Sequence, residues 1–388
     1  MFKTTALDSV ANRFIDELGA VAGTRLEADD HNIWMDELVN AVLAAGLTLD
    51  ITGANRDQVA EAIIALSAAG RNAIINGIGA INQRVTAFTL VKDEYCWDLS
   101  NLYGPDRHEG MATGTVVTAG SFGVTAAANV GVSGKAFKFS GVSLTGTGVL
   151  YHRYRMEAAD AVKFKNQTVS IGMQVYHDVG SAIDYTIFVR KADVADNFAA
   201  VTAISDSGAQ SIASATASDL SYLGVALGDC SNGIEIEIKI EAGAITTKNF
   251  ELTEFQFEPG LVNTAFEYRS LVNELALCKR YYCKSYDLAT APGAATTNGV
   301  ATWRSSGHTN ADHTVRVSAD FSVLMRSVPS IILYDPAGNT GKVGMIAGNN
   351  IAGFTGMISE RALQAYGTNG AASTERLLQF HFAATSEL

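Results

Sequence analysis

One segment alternates strictly between apolar and charged residues, and it constrains the fold more than any other part of the chain. Residues 234–240 read Ile-Glu-Ile-Glu-Ile-Lys-Ile, so that every second side chain is an isoleucine. A period of two places the isoleucines on one face of a β-strand and the charged residues on the other. The pattern therefore predicts a half-buried strand whose Glu235, Glu237 and Lys239 side chains face water.

Further strand-like runs lie on both sides of this segment. They are rich in β-branched and aromatic residues, and turn residues separate them at short intervals. Several short strands with this spacing favour a jelly-roll-like antiparallel β-sandwich. The predicted strands cover residues 136–139, 169–176, 185–189, 250–257, 314–317 and 330–334, with a turn at 335–338.

The N-terminal part of the chain has a helical period instead. Apolar residues recur three to five positions apart, and Asp, Asn and Gly stand where helices begin and end. Three helices are predicted there, over residues 29–46, 55–70 and 72–85, the third weakened by Gly77 and Gly79. Residues 1–95 carry 7 Lys and Arg against 13 Asp and Glu, so this segment is acidic.

These patterns divide the chain into four parts. We expect a helical attachment segment at 1–95, a β-sandwich at 96–260, a helical linker at 261–285 with its helix over 270–282, and a C-terminal β domain at 286–388. The last part has only 6 Lys and Arg and 7 Asp and Glu. A β domain with so few charges would be poorly soluble alone, and burial between subunits would resolve this. The fold class is mainly β with an N-terminal α-helical segment.

Composition excludes several classes of protein. Of the 388 residues 47% are hydrophobic and 18% are charged, and the net charge is −12. Nucleic acid is not expected as a partner, because phosphate binding needs clustered Lys and Arg. No apolar run reaches the ~18 residues of a membrane span, so we expect no membrane insertion. The four cysteines form no Cys-x-x-Cys pair, which favours buried thiols over disulfides or a metal site.

Two stretches resemble known sequences. Residues 33–66, IWMDELVNAVLAAGLTLDITGANRDQVAEAIIAL, resemble the N-terminal segments of bacteriophage tail-fibre proteins. Residues 254–283, EFQFEPGLVNTAFEYRSLVNELALCKRYYC, resemble a second tail-fibre run, and we call them the tail-fibre signature. Ala265 replaces the usual Pro and Lys279 the usual Gln. The matching positions are Glu258, Pro259, Gly260, Thr264, Phe266, Glu267, Arg269, Glu274 to Cys278, Arg280, Tyr281 and Tyr282.

The resemblance implies a virion appendage: a tail fibre or receptor-binding protein that attaches the virion to a surface glycan or protein receptor of the host. It also implies an elongated homotrimer, made in the bacterial cytoplasm and located in the virion tail. Residues 1–95 would contact other tail or adaptor proteins. One alternative is a head fibre or capsid decoration protein, and another is a short glycan hydrolase.

No catalytic motif supports the hydrolase. The chain has no Gly-x-Ser-x-Gly elbow, phosphate-binding loop or His-Glu-x-x-His. Its adjacent carboxylates, Asp29-Asp30 and Asp36-Glu37, occupy capping and surface positions of a predicted helix. We therefore expect neither enzymatic activity nor a cofactor.

Candidate ligand-binding residues lie in polar loops of the C-terminal part. An aromatic ring can stack on the C–H groups of a sugar while neighbouring amides, hydroxyls or a guanidinium bind its hydroxyls. For Trp303, a position in the interior of a trimer is an equally good interpretation. For the two histidine candidates, the alternative is an ordinary surface loop without a ligand. The candidates are Trp303, Arg304, His308, His313, Tyr366 and Asn369.

Overall fold

The protein is mainly antiparallel β, as expected, with one β-sandwich and a second group of sheets near the C-terminus. The computed structural model describes residues 9–10, 13–14, 28–44, 49–50, 58–59, 62–63, 70–84, 87–95, 105–114, 116–126, 129–306, 313–345, 350–369 and 375–388. No helix among these residues is both long and apolar enough to cross a membrane.

The first predicted helix is confirmed. Two short strands, β1 (Ser9–Val10) and β2 (Arg13–Phe14), pair with each other and precede helix α1 (Ala28–Ala44). Of the second predicted helix, residues 58–59, residues 62–63 and Gly70 are described; both pairs are helical and Gly70 lies in a turn.

The third predicted helix is wrong. Residues 72–84 form turns and extended chain, and Asn76 and Gly79 both have a φ of +63°, which no α-helix contains. Tertiary contacts explain the difference, because Ala73 N donates to Phe257 O and Phe255 N donates to Gly77 O, each at 2.9 Å. A Cβ on residue 77 would lie 2.3 Å from Phe255 O, so only glycine permits this approach.

The sandwich consists of two antiparallel sheets, each of six strands. The first has the order β10-β9-β13-β7-β4, with β11 also paired to β9, and the second has the order β12-β8-β14-β6-β5-β3. Helix α2 (Ala158–Ala161) and a 3-10 turn (Val162–Phe164) follow β7. The strands are β3 (Phe88–Thr89), β4 (His108–Thr113), β5 (Val116–Ala126), β6 (Lys135–Thr145), β7 (Val149–Met156), β8 (Thr168–His177), β9 (Ile183–Val194), β10 (Asn197–Asp206), β11 (Gln210–Ile212), β12 (Ser218–Ala226), β13 (Ile234–Ile240) and β14 (Ile245–Pro259).

Strand β13 is the predicted alternating strand, and its four isoleucines are fully buried in the sandwich core. The prediction that its glutamates face water is wrong, because Glu235 and Glu237 are only 3% and 6% exposed. Neighbouring strands supply their partners: Arg155 of β7 donates to Glu235 at 2.9 Å, and Arg190 of β9 donates to Glu237 at 2.8 Å. Lys239 is half-buried.

Helix α3 (Leu271–Lys279) lies between the sandwich and the C-terminal sheets, and it is shorter than the predicted helix over 270–282. Strands β15, β16, β18 and β19 all pair with β23, and β20 pairs with β19. Strands β17 and β21 flank β22 in a separate three-stranded sheet. Residues from both sheets share one apolar core. The strands are β15 (Tyr282–Lys284), β16 (Ala301–Ser306), β17 (His313–Asp320), β18 (Ser330–Tyr334), β19 (Lys342–Met345), β20 (Asn350–Ala352), β21 (Phe354–Gly356), β22 (Ala362–Asn369) and β23 (Glu375–Thr385).

Two smaller predictions, of a turn and of buried thiols, also hold for the described residues. Gly338 N donates to Asp335 O at 2.9 Å, which closes the predicted turn at 335–338. Cys230, Cys278 and Cys283 are buried free thiols, and Cys96 lies outside the described residues.

Three residues of the tail-fibre signature hold a strap, which we define as residues 70–76, against the end of the sandwich. The Glu267 carboxylate accepts hydrogen bonds from Gly70 N at 2.5 Å and Asn72 N at 2.8 Å. Arg269 donates to Ile74 O at 2.8 Å and to the Glu274 carboxylate at 3.0 Å. These signature positions therefore have a structural role, since they satisfy the backbone groups of an irregular segment.

A buried charged hub joins the sandwich to the C-terminal sheets, and we define it as Arg84, Arg107, Tyr281, Tyr282 and Glu387. The Glu387 carboxylate accepts from Arg107 at 2.5 Å and from Arg84 at 3.5 Å. The two guanidinium groups lie 3.6 Å and 3.7 Å from the ring centroids of Tyr281 and Tyr282, respectively. All of these side chains are almost fully buried, so each charge depends on its partners.

We predict that Arg107→Met destabilises the protein strongly, by about 3 kcal/mol or more. The substitution preserves much of the apolar stem but removes the cation closest to the buried Glu387 carboxylate, and breaking a buried pair typically has this effect. The free energy of unfolding from a urea titration followed by circular dichroism measures it.

The matched control is Arg361→Met, because Arg361 is exposed and belongs to neither the hub nor the strap contacts. This control should change stability by less than about 0.5 kcal/mol. Equal stability of the two variants would contradict a structural role for the hub.

Two histidines lie in direct contact inside the sandwich core. His108 Nε2 lies 3.0 Å from Ile75 O and must donate to it, because a carbonyl only accepts. His108 Nδ1 then accepts from His152 Nε2 at 3.0 Å, and His152 Nδ1 has no hydrogen-bond partner in the described structure. Burial lowers the pKa of His152 to about 3, and burial together with the neighbouring His152 lowers the pKa of His108 well below its usual range.

We predict that His152 makes stability fall as the pH is lowered from about 6.5. Between that pH and the folded-state pKa, the unfolded chain binds a proton that the folded chain does not, so protons favour unfolding. His152→Gln should reduce the slope of the free energy of unfolding between pH 6 and pH 5 by about 1 kcal/mol per pH unit. Identical slopes in urea titrations of variant and parent would show that His152 is not a buried neutral group.

Candidate functional site

The three-stranded sheet of β17, β22 and β21 presents one face to solvent. Val315 and Val317 on β17 and Leu363 and Ala365 on β22 are buried in the C-terminal core. Because strand side chains alternate between faces, the residues between them point outward. The sequence thus combines a stable inner face with an outer face that is free to carry binding residues.

Two aromatic rings lie side by side on this outer face. Phe354 on β21 is directly opposite Tyr366 on β22, their ring centroids are 5.5 Å apart, and the ring planes differ by only 24°. Phe354 is 51% exposed and Tyr366 is half-buried. The rings therefore offer an apolar surface that is accessible to a ligand.

Polar groups surround the rings. The Arg316 guanidinium lies 4.8 Å from the Tyr366 ring centroid, a cation–π contact, and donates to Gln364 Oε1 at 3.3 Å. On the same face the hydroxyls of Thr314 and Thr368 lie 3.0 Å apart. We call Phe354, Tyr366, Arg316 and Gln364 the aromatic platform.

The platform has the chemistry of a sugar-binding surface. Aromatic faces contact C–H groups. The amide and hydroxyl groups around them can donate to and accept from sugar hydroxyls, and the guanidinium can donate to a hydroxyl or a carboxylate. Within the described part of the chain, no group of three or more His, Cys, Asp or Glu side chains could hold a metal ion.

The prediction that the candidate residues lie in polar loops is wrong for those that the structure describes, because they lie on strands β16, β17 and β22. They occupy three different settings. Tyr366 lies in the platform. Trp303 on β16 is directly opposite Leu378, so it shares the core-facing side of that strand pair, yet it remains 41% exposed. Arg304 is the next residue along the strand and faces the other side, so Trp303 and Arg304 do not form one site.

The remaining candidates are described only in part. His313 and Asn369 are partners in the β17–β22 register, directly opposite each other at one end of the strand pair. Their backbones therefore lie at the edge of the sheet that carries the platform. His308 lies outside the described residues.

Sequence reasoning missed three platform residues: Phe354, Arg316 and Gln364. The alternation Thr-Val-Arg-Val at 314–317 does place Arg316 on the polar face, and this signal was available. Phe354 gave no comparable signal, because β21 has only three residues and its register with β22 is a tertiary property.

Comparisons with known proteins find only distant likenesses. No family model and no curated protein matches the chain. A carbohydrate-binding module from the β-sandwich superfamily is 9% identical with a TM-score of 0.30, over 39% of this chain and 57% of that one. The enzymatically active domain of Bacteriophage CBA120 tailspike protein 4 is 14% identical with a TM-score of 0.30, over 50% of this chain and 22% of that one.

A third solved structure is a xylan-binding domain from Paenibacillus barcinonensis. It is 15% identical with a TM-score of 0.27, and the match covers 50% of this chain and all of that domain. TM-scores this low carry no argument about what the chain binds.

Proposed function

We propose that this chain is the receptor-binding component of a phage tail fibre and that it attaches the virion to glycans on the host surface through the aromatic platform. The observation that carries the glycan part is the pair of accessible, nearly parallel rings of Phe354 and Tyr366 beside Arg316 and Gln364. The mechanism is adhesion alone, without a catalytic step or a cofactor.

Weak contacts suffice for this function if they are repeated. Each stacking or hydrogen-bonding contact contributes on the order of 1 kcal/mol, so that a single platform would bind with a dissociation constant of roughly 1 mM. Several platforms on one particle convert later contacts into intramolecular ones and raise the overall affinity by about 10²–10⁴. Multivalency is therefore part of the proposal.

Sequence resemblance supports the placement in a virion tail, and exposed apolar side chains support a homotrimer. Ile33 and Trp34 on α1 and Leu271 and Val272 on α3 are all more than half exposed in the single chain. Large apolar groups on a surface favour contacts with other subunits or partner proteins. Because the strap and β3 belong to the sandwich, we propose that the part of residues 1–95 that precedes the strap attaches the trimer to a tail or adaptor protein.

We predict that Phe354→Ala and Tyr366→Ala each weaken adsorption of the purified protein to host cells and to polysaccharide extracted from them, by about tenfold. Each change removes one ring, a loss of roughly 1.4 kcal/mol at each binding surface, while the buried face of the sheet is untouched. Binding isotherms give the affinity, and thermal unfolding should show little change in Tm.

Trp303→Ala is the comparison variant, because Trp303 is the other exposed aromatic candidate in this part of the chain and lies outside the platform. We expect its adsorption to equal that of the parent. If only Trp303→Ala reduced adsorption, or if both platform variants bound normally, the platform would not be the attachment surface.

A further inference from the structure

An open cleft lies on the sandwich, on the outer face of the strands β12, β8 and β14. Its volume is about 600 Å³, and the loop that follows β14 forms one of its walls. It belongs to a different sheet from the aromatic platform, and the proposed attachment function makes no use of it.

Glycine at position 172 shapes the floor of this cleft. Gly172 is directly opposite Ser221 of β12 and Gln256 of β14. A Cβ on residue 172 would lie 2.5 Å from Asn263 Nδ2, which instead donates to Ile171 O at 3.0 Å. The missing side chain lets the wall loop dock on the strand, so the cleft is a built feature of the fold.

The floor also presents polar groups with unused hydrogen-bonding capacity. Gln174 Oε1 accepts from Gly131 N at 2.8 Å, but Gln174 Nε2 and Ser221 Oγ make no hydrogen bonds to other residues that the structure describes. Asp219 lies opposite Gln174 and is exposed. Donors and acceptors thus lie side by side on neighbouring strands.

Glu254 forms part of the rim. It interrupts the β14 register with a φ of +54°, and its Oε1 accepts from Val132 N at 2.9 Å and from the Tyr268 hydroxyl. These contacts fix a second carboxylate beside the cleft. Phe266 and Leu223 supply apolar surface nearby.

The charges of the lining select the class of ligand. Asp219 and Glu254 are both acidic, and no lysine or arginine lines the cleft within the described residues. A carboxylated or phosphorylated ligand would be repelled, whereas sugar hydroxyls can donate to the carboxylates and accept from Gln174. Apolar side chains beside these groups suit the C–H faces of a sugar.

We propose that this cleft binds a neutral oligosaccharide and is a glycan site separate from the aromatic platform. The two sites differ in charge, because the platform contains the Arg316 guanidinium and the cleft contains two carboxylates. The chain would therefore recognise two features of a glycan surface, one of them strictly uncharged.

The test uses the full chain carrying Phe354→Ala and Tyr366→Ala, so that the platform cannot contribute. Its binding to a panel of neutral tri- to hexasaccharides of common α- and β-linked hexoses, and to their uronic-acid counterparts, is measured by saturation-transfer NMR titration. We expect saturable binding of at least one neutral member and none of the acidic ones.

Two substitutions then locate the site. Ser221→Tyr fills the floor and should weaken binding at least tenfold, whereas the matched control Ser181→Tyr, at an exposed position between β8 and β9 and outside the cleft lining, should not change it. Asp219→Lys leaves the cleft open and should admit an acidic oligosaccharide that the parent rejects.

Absence of neutral binding, or binding that survives Ser221→Tyr in a folded protein, would overturn the proposal. The proposal would also be overturned if the chain bound calcium ions or unrelated peptides more strongly than any sugar and if Ser221→Tyr abolished that binding. These outcomes do not depend on the platform. If the platform variants adsorbed normally and Ser221→Tyr abolished oligosaccharide binding, the platform would be rejected as the attachment surface and the cleft would be retained as a glycan site.

Discussion

The arrangement of the sandwich and the C-terminal sheets depends on one buried interaction, in which the Glu387 carboxylate accepts hydrogen bonds from the Arg84 and Arg107 guanidinium groups. Arg84 and Arg107 precede sandwich strands, whereas Glu387 follows the last strand of the C-terminal sheet. Burial lowers the pKa of Arg107, but the Glu387 carboxylate together with Tyr281 and Tyr154 raises it by more, so the net shift is upward and the guanidinium stays charged. Tyr281 and Tyr282 cover the cations with their ring faces and complete the connection.

Five residues of the tail-fibre signature serve the architecture of the chain. In the tail-fibre signature, Glu267, Arg269 and Glu274 hold the strap in place, and Tyr281 and Tyr282 belong to the hub. These residues are buried or half-buried and engaged with their own chain, so they determine how the parts are joined rather than what they bind. The aromatic platform contains no residue of the signature, whereas the cleft takes Glu254 and Phe266 from it. Both sites lie on outer sheet faces, where side chains can change without loss of core packing.

Sequence patterns predicted those secondary-structure elements that are determined by residues close together in the sequence. The alternation at 234–240 predicted both β13 and its buried isoleucines, but not the burial of Glu235, whose partners Arg155 and Arg190 are 80 and 45 residues away in sequence. The helix predicted over 72–85 failed for the same reason, since Phe255 and Phe257 hold that segment in an irregular path. Tyr366 was predicted as a binding residue in a polar loop, but it lies in strand β22, and Phe354 joins it only through strand register.

The most direct test of the account is a cryo-EM reconstruction of intact virions that carry this chain. We predict three copies around a threefold axis at the tail, with helix α1 toward the particle and the Phe354–Tyr366 face directed outward. Density on the capsid, a single copy at each position, or a platform face buried against another virion protein would contradict it.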